Sequence, residues 1–337
     1  MSFDTFDFAK FTHGNDLERS TLARELVASF KAHGSAKLVN HGLPDSMVTG
    51  YMRAGVDFFA MPLETKMAVA NEIGPKPQRG FGILGVEQPS KLHNENINGH
   101  TSWGELRDAR EHFDAGPPED DEFPNKWPDD ANVPEFRRIM ESCYYAFQQL
   151  SMEVMSAVEL GLDLPPDVMV ARCQPVASEM RLNHYPLISL KSLSEGNTKR
   201  IWPHTDLGII SLLFQDQVGG LEIEDRPNSE PNKRSFIPVL PADPDGPSSV
   251  VVLIGDTMQR WTNDLVPAGL HQVSVPPSMK TQTEGECPDR YSGVFFVKAH
   301  RNASVAPLPQ YVTEERPAAY DDISALQYHQ QKVGSLY

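Results

Sequence analysis

The sequence predicts an α+β protein with a mainly β core of the sandwich or jelly-roll type, a helical N-terminal region, a long backbone helix and a C-terminal helix. Three observations lead there. From about residue 178 the chain breaks into short apolar runs ("EMRLNHYPLI", "GIISLLFQD", "GGLEIED", "SFIPVL", "SSVVVLIGD", "GLHQVSV", "YSGVFFVKA") split by Pro, Gly, Asn and Asp. Many short strands between turn signals fit two packed sheets. Ahead of them, "PEFRRIMESCYYAFQQLSMEVMSAVELG" sets Met140, Tyr144, Phe147, Val154 and Val158 on or near one helical stripe, opened by Pro134 and closed by Gly161. After them, "DDISALQYHQQKVG" returns to helical spacing, as a C-terminal helix lying back over the β core.

The other elements follow in order. "ERSTLARELVASFKAH" carries Leu22, Leu26, Val27 and Phe30 at helical spacing, with His33-Gly34 as the stop. "AKLVNHG" reads as a short strand, and "SMVTGYMRAGVDFFAMP" as a second helix through Met47, Tyr51, Val56 and Phe59. Residues 74–130 hold many Gly, Pro, Asn and Asp, which predicts long surface loops. The expected organisation is an N-terminal region over 1–130 and a long helix, β core and C-terminal helix over 131–337, acting as one unit.

Bulk properties bound the function. The 337 residues are enough for a sizeable core, and 39% hydrophobic with 23% charged residues is ordinary for a soluble globular protein. A net charge of −16 argues against nucleic acid or anionic membrane as partner, since both select basic surfaces. The acidic, interrupted "MSFDTFDFAKFTHG" has no signal-peptide core, and no run approaches the ~20 apolar residues of a membrane helix. Cys143, Cys173 and Cys287 are scattered and odd in number, so a reducing, cytoplasmic setting is expected. No obligate protein partner is evident.

"WPHTDLGIISLLFQD" carries the first chemical signal. His204 and Asp206 stand two apart, so on a strand both point into the same barrel mouth. His271 in "AGLHQVSV" is the best third ligand, although taken alone it reads more readily as a hydrogen-bonded barrel histidine. Two imidazoles and a carboxylate with open positions suit Fe(II) and oxygen activation, while the same set held tetrahedrally suits hydrolytic zinc. Arg290 at the head of "RYSGVFFVK", with Ser292 on its face, is costly to bury without an anionic partner and matches a carboxylate bidentately. Asn183 and Tyr185 in "RLNHYP" face one way and can hold the other end of a small acid or a metal-bound oxygen. A zinc hydrolase has no need of such a clamp. The second His-x-Asp pair, His112-Phe113-Asp114, has no partner Arg motif downstream and is read as structural or substrate-facing.

In this order, "NHYP", "HTDLGIISLLFQDQVGGLEI", "LIGDTMQRWTND", "LHQV" and "RYSGVFF" resemble the non-haem Fe(II)/2-oxoglutarate dioxygenases of the isopenicillin N synthase-like group. "KLVNHGLP", "FFAMPLETK" and "RGFG" resemble that group's N-terminal region, so the likeness spans about residues 20 to 330. The resemblance implies a double-stranded β-helix core, with His204, Asp206 and His271 as iron ligands. It implies Arg290 and Ser292 on the distal carboxylate of 2-oxoglutarate, with Tyr185 assisting and Asn183 near the metal. Gly255-Asp256 matches the group's structural turn. His271 and Arg290 lie nineteen positions apart, against roughly ten in the group, and "PPSMKTQTEGECP" is read as a longer surface hairpin that absorbs the difference.

The implied activity is oxidation of a small organic molecule, a secondary metabolite, by hydroxylation, desaturation or ring rearrangement, with Fe(II), 2-oxoglutarate and O2. An iron oxidase that uses no 2-oxoglutarate, a zinc hydrolase and a non-catalytic jelly-roll binding protein stay open. For the substrate, Arg181 shares the inward face of Asn183 and either holds a substrate acid or phenolate or pairs with a carboxylate. Phe214, Phe296, Tyr328 and Gln331 are candidates to close an apolar pocket, Phe296 fitting the core better. Arg107, Arg110 and His112 read as a solvated charged face.

Overall fold

In the computed structural model, which describes residues 4–89, 106–195, 197–230 and 233–334, short strands and helices alternate through the first half. β1 (Thr5–Asp7) and α1 (Ala9–Thr12) lead into α2 (Asp16–His33), β2 (Ser35–Val39), α3 (Asp45–Phe59) and α4 (Leu63–Met67). Then come β3 (Gly80–Gly82), β4 (Arg107–Asp108), β5 (Glu111–Ala115) and the long α5 (Phe136–Gly161). The second half begins with β6 (Glu179–Tyr185), β7 (Ile188–Ser189), α6 (Leu190–Glu195), β8 (Thr198–Lys199) and β9 (Ile201–His204). β10 (Ile210–Gln215), β11 (Leu221–Glu224), β12 (Phe236–Pro238) and β13 (Ser249–Ile254) follow. α7 (Asp256–Trp261), β14 (His271–Val273), β15 (Glu286–Cys287), β16 (Arg290–Val297) and α8 (Ala325–Val333) complete the chain.

Local chemistry sets the helix ends. The Asn15 side chain accepts from the N–H groups of Leu17 and Glu18, and Glu18 accepts from the Asn15 N–H, which closes a capping box on α2. Gly34 ends that helix in the left-handed region at φ 67°. The α5 stripe of Met140, Tyr144, Phe147, Val154 and Val158 is buried, as its period requires.

Among the described residues the strands form two main sheets, ordered β1-β2-β13-β10-β16-β6-β5-β3 and β12-β11-β14-β9. α3 and α5 pack on the larger sheet and α2 packs on α5. Strand alternation then sorts side chains. In β10, Ile210, Leu212 and Phe214 turn to the helices, while Leu213 joins Leu221, Val273 and Val294 in the core between the sheets. Gly293 lets Tyr51 of α3 lie flat on β16, because a Cβ there would stand 2.1 Å from its ring. The Tyr51 hydroxyl donates to the Arg181 carbonyl at 3.0 Å.

Two expectations are corrected. Residues 74–130 are not simply surface loops: β5 is an interior strand of the large sheet, paired with β6 and β3, and all five of its residues are buried. Positions 90–105 of that stretch lie outside the described residues. The "PPSMKTQTEGECP" insertion is also more than a free hairpin, since its β15 pairs with β7. In both places polar residues that looked like loop formers are held by strand neighbours distant in sequence.

Candidate active site

β9 and β14 run antiparallel with His271 directly opposite His204, and the two ring centroids lie 4.2 Å apart. Asp206, two residues past the end of β9, brings Oδ1 to 3.9 Å from His204 Nε2 and 4.0 Å from His271 Nε2. One ligand atom from each residue falls within 4.8 Å of the others, and all three residues are buried. The protonation state is set locally. His204 Nδ1 donates to the Trp202 carbonyl at 2.9 Å and His271 Nδ1 to the Gly269 carbonyl at 3.0 Å. Each imidazole therefore carries its proton on Nδ1 and presents the Nε2 lone pair to the cluster. Asp206 Oδ2 is buried with no hydrogen-bond partner among the described residues. A carboxylate left bare beside two lone pairs fits a divalent cation.

The loop bearing Asp206 is fastened by the start of α7. Asp256 N–H donates to the Asp206 carbonyl at 2.7 Å and Thr257 N–H to that of Gly208 at 2.9 Å. Gly255 permits the approach, since a Cβ there would stand 2.2 Å from the Gly208 oxygen. The Gly255-Asp256 turn is thus structural, as its motif implies.

Arg290, Ser292, Asn183 and Tyr185 line one cavity together with His204, Asp206 and His271. The register of β16 on β6 sets Arg290 opposite Tyr185 and Ser292 opposite Asn183. Arg290 is completely buried. Its Nη2 donates to Gln215 Oε1 at 3.1 Å and its Cζ lies 4.9 Å from the Tyr185 ring centroid. Nε and Nη1 have no hydrogen-bond partner among the described residues. A buried guanidinium with two open donors fits a carboxylate of a bound acid.

A second, larger cavity adjoins the first and shares His204, Asp206, Arg110, Arg181 and Phe296 with it. Its walls are charged. Arg181 makes a two-point ion pair with Asp114, Nε to Oδ1 at 2.7 Å and Nη2 to Oδ2 at 2.9 Å, and Nη1 reaches Glu87. Burial works against the Glu87 carboxylate, but the guanidinium groups of Arg181 and Arg110 hold its carboxyl well below the usual range. Opposite them, Lys298 pairs with Glu179 and donates to His329 Nδ1 at 3.4 Å. Burial together with Lys298 pushes the His329 imidazole down to about 3, so it stays neutral.

Several substrate expectations change accordingly. Phe214 faces away from both cavities and stacks on Phe147 at 4.8 Å. Phe296 shares the parity of Arg290 and Ser292, packs against the core between the sheets and lines both cavities. Tyr328 borders a neighbouring cleft, where its hydroxyl donates to Asp256 at 3.0 Å. Gln331 is exposed, and His329 and Val333 of α8 reach the second cavity in its stead. Arg181 pairs with carboxylates, one of its two alternatives. Arg107 is exposed, but Arg110 and His112 are buried, not solvated. His112 contacts Glu87 and Asp114 at 3.2 and 3.3 Å and is no part of the metal cluster. The missed signal is the alternation in "REHFDA", which sets Arg110, His112 and Asp114 on one face.

Asp108 supports the site from outside. Its Oδ1 accepts from the Trp202 N–H at 3.0 Å, and burial pushes its carboxyl up to about 7. The folded state therefore holds a proton that the unfolded chain releases near 3.8. This contribution is full below 3.8 and is lost as the pH rises towards 7. Asp108→Asn should raise the melting temperature over wild type by a margin that grows from about pH 5 to about pH 7 and then levels. A margin that does not change with pH in thermal scans would rule this out.

Known proteins match this arrangement. The model of the 2OG-Fe(II) oxygenase superfamily matches residues 177–299, and that of the non-haem dioxygenase in morphine synthesis N-terminal region matches residues 3–130. The 2-oxoglutarate-dependent dioxygenase phqC of Penicillium fellutanum is 45% identical, covering 98% of this chain and 94% of its own. The proline hydroxylase buaE of Petromyces alliaceus is 34% identical over 100% of both chains. Among solved structures, a full-length Neurospora crassa protein in complex with α-KG and thymine superposes with a TM-score of 0.84 at 26% identity, covering 99% of this chain and 97% of its own. Two sheets of the jelly-roll kind, a His-Asp-His cluster and full-length relatives of one activity agree: this chain belongs to the 2OG-Fe(II) oxygenase superfamily and is an iron- and 2-oxoglutarate-dependent dioxygenase.

Proposed function

We propose that His204, Asp206 and His271 hold Fe(II), that Arg290 and Ser292 receive the distal carboxylate of 2-oxoglutarate, and that Tyr185 and Asn183 complete its chamber. The observation that carries this is Arg290, sealed from water with two open donors in the cavity that holds the His-Asp-His cluster. The stacked Tyr185 ring fixes the guanidinium plane, and Gln215 fixes its roll. When bound, iron and 2-oxoglutarate reduce dioxygen, releasing succinate and carbon dioxide and oxidising a C–H bond of the substrate.

The adjoining charged cavity is the substrate chamber in this proposal, with Phe296 between it and the metal residues. Its described walls carry Arg110, Arg181 and Lys298 beside Glu87, Asp114 and Glu179, with Asp206 at the border to the inner cavity, so both signs of charge line it. A small zwitterion suits such walls better than an apolar molecule. The relative named a proline hydroxylase supports the same choice. The substrate we propose is an amino acid or a close derivative, a building block of a secondary metabolite. The chain's three cysteines are buried and unpaired, which supports work in the reducing cytoplasm. Among the described residues no helix is long and apolar enough to cross a membrane. One unit, spanning both halves through the shared large sheet, is the proposed working form.

A panel of free amino acids and their amides, incubated with Fe(II), 2-oxoglutarate and air, tests the assignment. Succinate should rise above the substrate-free rate with at least one free amino acid, one equivalent per oxidised product. Stimulation only by neutral apolar compounds would reject the zwitterion.

A further inference from the structure

Arg110 stands immediately ahead of β5. The β5–β6 register pairs Asp114 with Arg181 and His112 with Asn183. One further step of two brings Arg110 beside Tyr185, on the sheet face that carries Arg290 and Ser292. Arg110 is 5% exposed and borders both the inner and the outer chamber.

Its hydrogen bonding is half complete. Nη1 donates to Asn183 Oδ1 at 3.1 Å. Nε and Nη2, the side-on edge of the guanidinium, have no hydrogen-bond partner among the described residues. Glu87 Oε2 lies 3.1 Å from Nη2 as an ionic neighbour, yet that carboxylate is also 2.9 Å from Arg181 Nη1, which donates to its other oxygen. One acid is thus shared by two guanidinium groups, and its alignment favours Arg181. A buried cation whose side-on edge makes no aligned hydrogen bond among the described residues fits a second anion shaped like a carboxylate.

We propose that Arg110 is a second carboxylate-binding residue of this enzyme, set at the junction of the two chambers and separate from the Arg290 clamp. The carboxylate belongs either to the metal-side end of the 2-oxo acid or to the primary substrate. This rests on the assignment of the inner chamber to 2-oxoglutarate.

The full chain, loaded anaerobically with Fe(II), is titrated with 2-oxoglutarate and with 2-oxobutyrate, which keeps the 2-oxo-carboxylate end but lacks the distal carboxylate. The charge-transfer absorption reports binding. If Arg110 takes the 2-oxo acid, Arg110→Met weakens both ligands by at least about ten-fold, whereas Arg290→Met weakens 2-oxoglutarate alone. If it takes the substrate, Arg110→Met binds both oxo acids normally but loses the wild-type preference for free amino acids over their amides in succinate release. Normal titration by Arg110→Met, with that preference either retained or absent from the wild type, overturns the proposal. Arg110→Lys, which keeps the charge beside Glu87 but not the fork, serves where the methionine variant fails to fold and should show the same losses. Failure of the wild type to develop the absorption band would instead reject the assignment of the inner chamber.

Discussion

Asp206→Ala is expected to abolish iron binding and to lower turnover by at least about 10³-fold, without unfolding the chain. The carboxylate is the only negative group among the three ligands, so two neutral imidazoles would remain. Its Oδ2 has no hydrogen-bond partner among the described residues, so alanine removes a buried, unsatisfied charge there. The melting temperature of the metal-free variant should therefore equal or exceed that of wild type, while the rise produced by Fe(II) should vanish. Metal analysis after anaerobic loading and paired thermal scans check both. Iron retained at one equivalent in Asp206→Ala would contradict the assignment, as would full turnover by His271→Ala.

Arg290→Met should raise the dissociation constant of 2-oxoglutarate by about 100-fold, equivalent to about 3 kcal/mol. The side chain is wholly buried and its open donors have no acceptor among the described residues. Methionine fills much of the same volume without the desolvated charge, so the ligand-free protein should melt no lower than wild type. Charge-transfer titration under anaerobic conditions gives the affinity. Unchanged affinity would mean that the distal carboxylate lies elsewhere.

The β core was legible because its signals are local: short apolar runs between turn residues, and side chains two apart sharing a face. The same rule puts Asn183 with Tyr185 and Arg290 with Ser292 on one face, since they are pairs of equal parity on adjacent strands. Parity also separates the two phenylalanines. Phe296 has the parity of Arg290, and Phe214 has that of Ile210 and Leu212, so one belongs at the site and the other under the helices. What a single sequence does not hold is which strand meets which. His271 faces His204 because β14 pairs with β9, and that pairing is set by packing between distant segments. Resemblance supplied it; periodicity did not. β5 escaped for a related reason, since its polar inward row, Arg110, His112 and Asp114, looks like a loop until partners of opposite charge appear on β6 and at Glu87. The docking of α8 was similarly hidden, and the side chains delivered to the outer chamber, His329 and Val333, sit one helical turn apart, each within two positions of Tyr328 or Gln331.

Both metal-site imidazoles send their Nδ1 proton to a carbonyl two residues earlier in the chain. Because that acceptor is main chain, replacing the Trp202 side chain does not take it away, whereas Gly269 has to stay glycine, since a Cβ there would stand 2.4 Å from the Gly34 oxygen. Each half of the centre is in effect a three-residue cassette whose imidazole tautomer is written by the main chain.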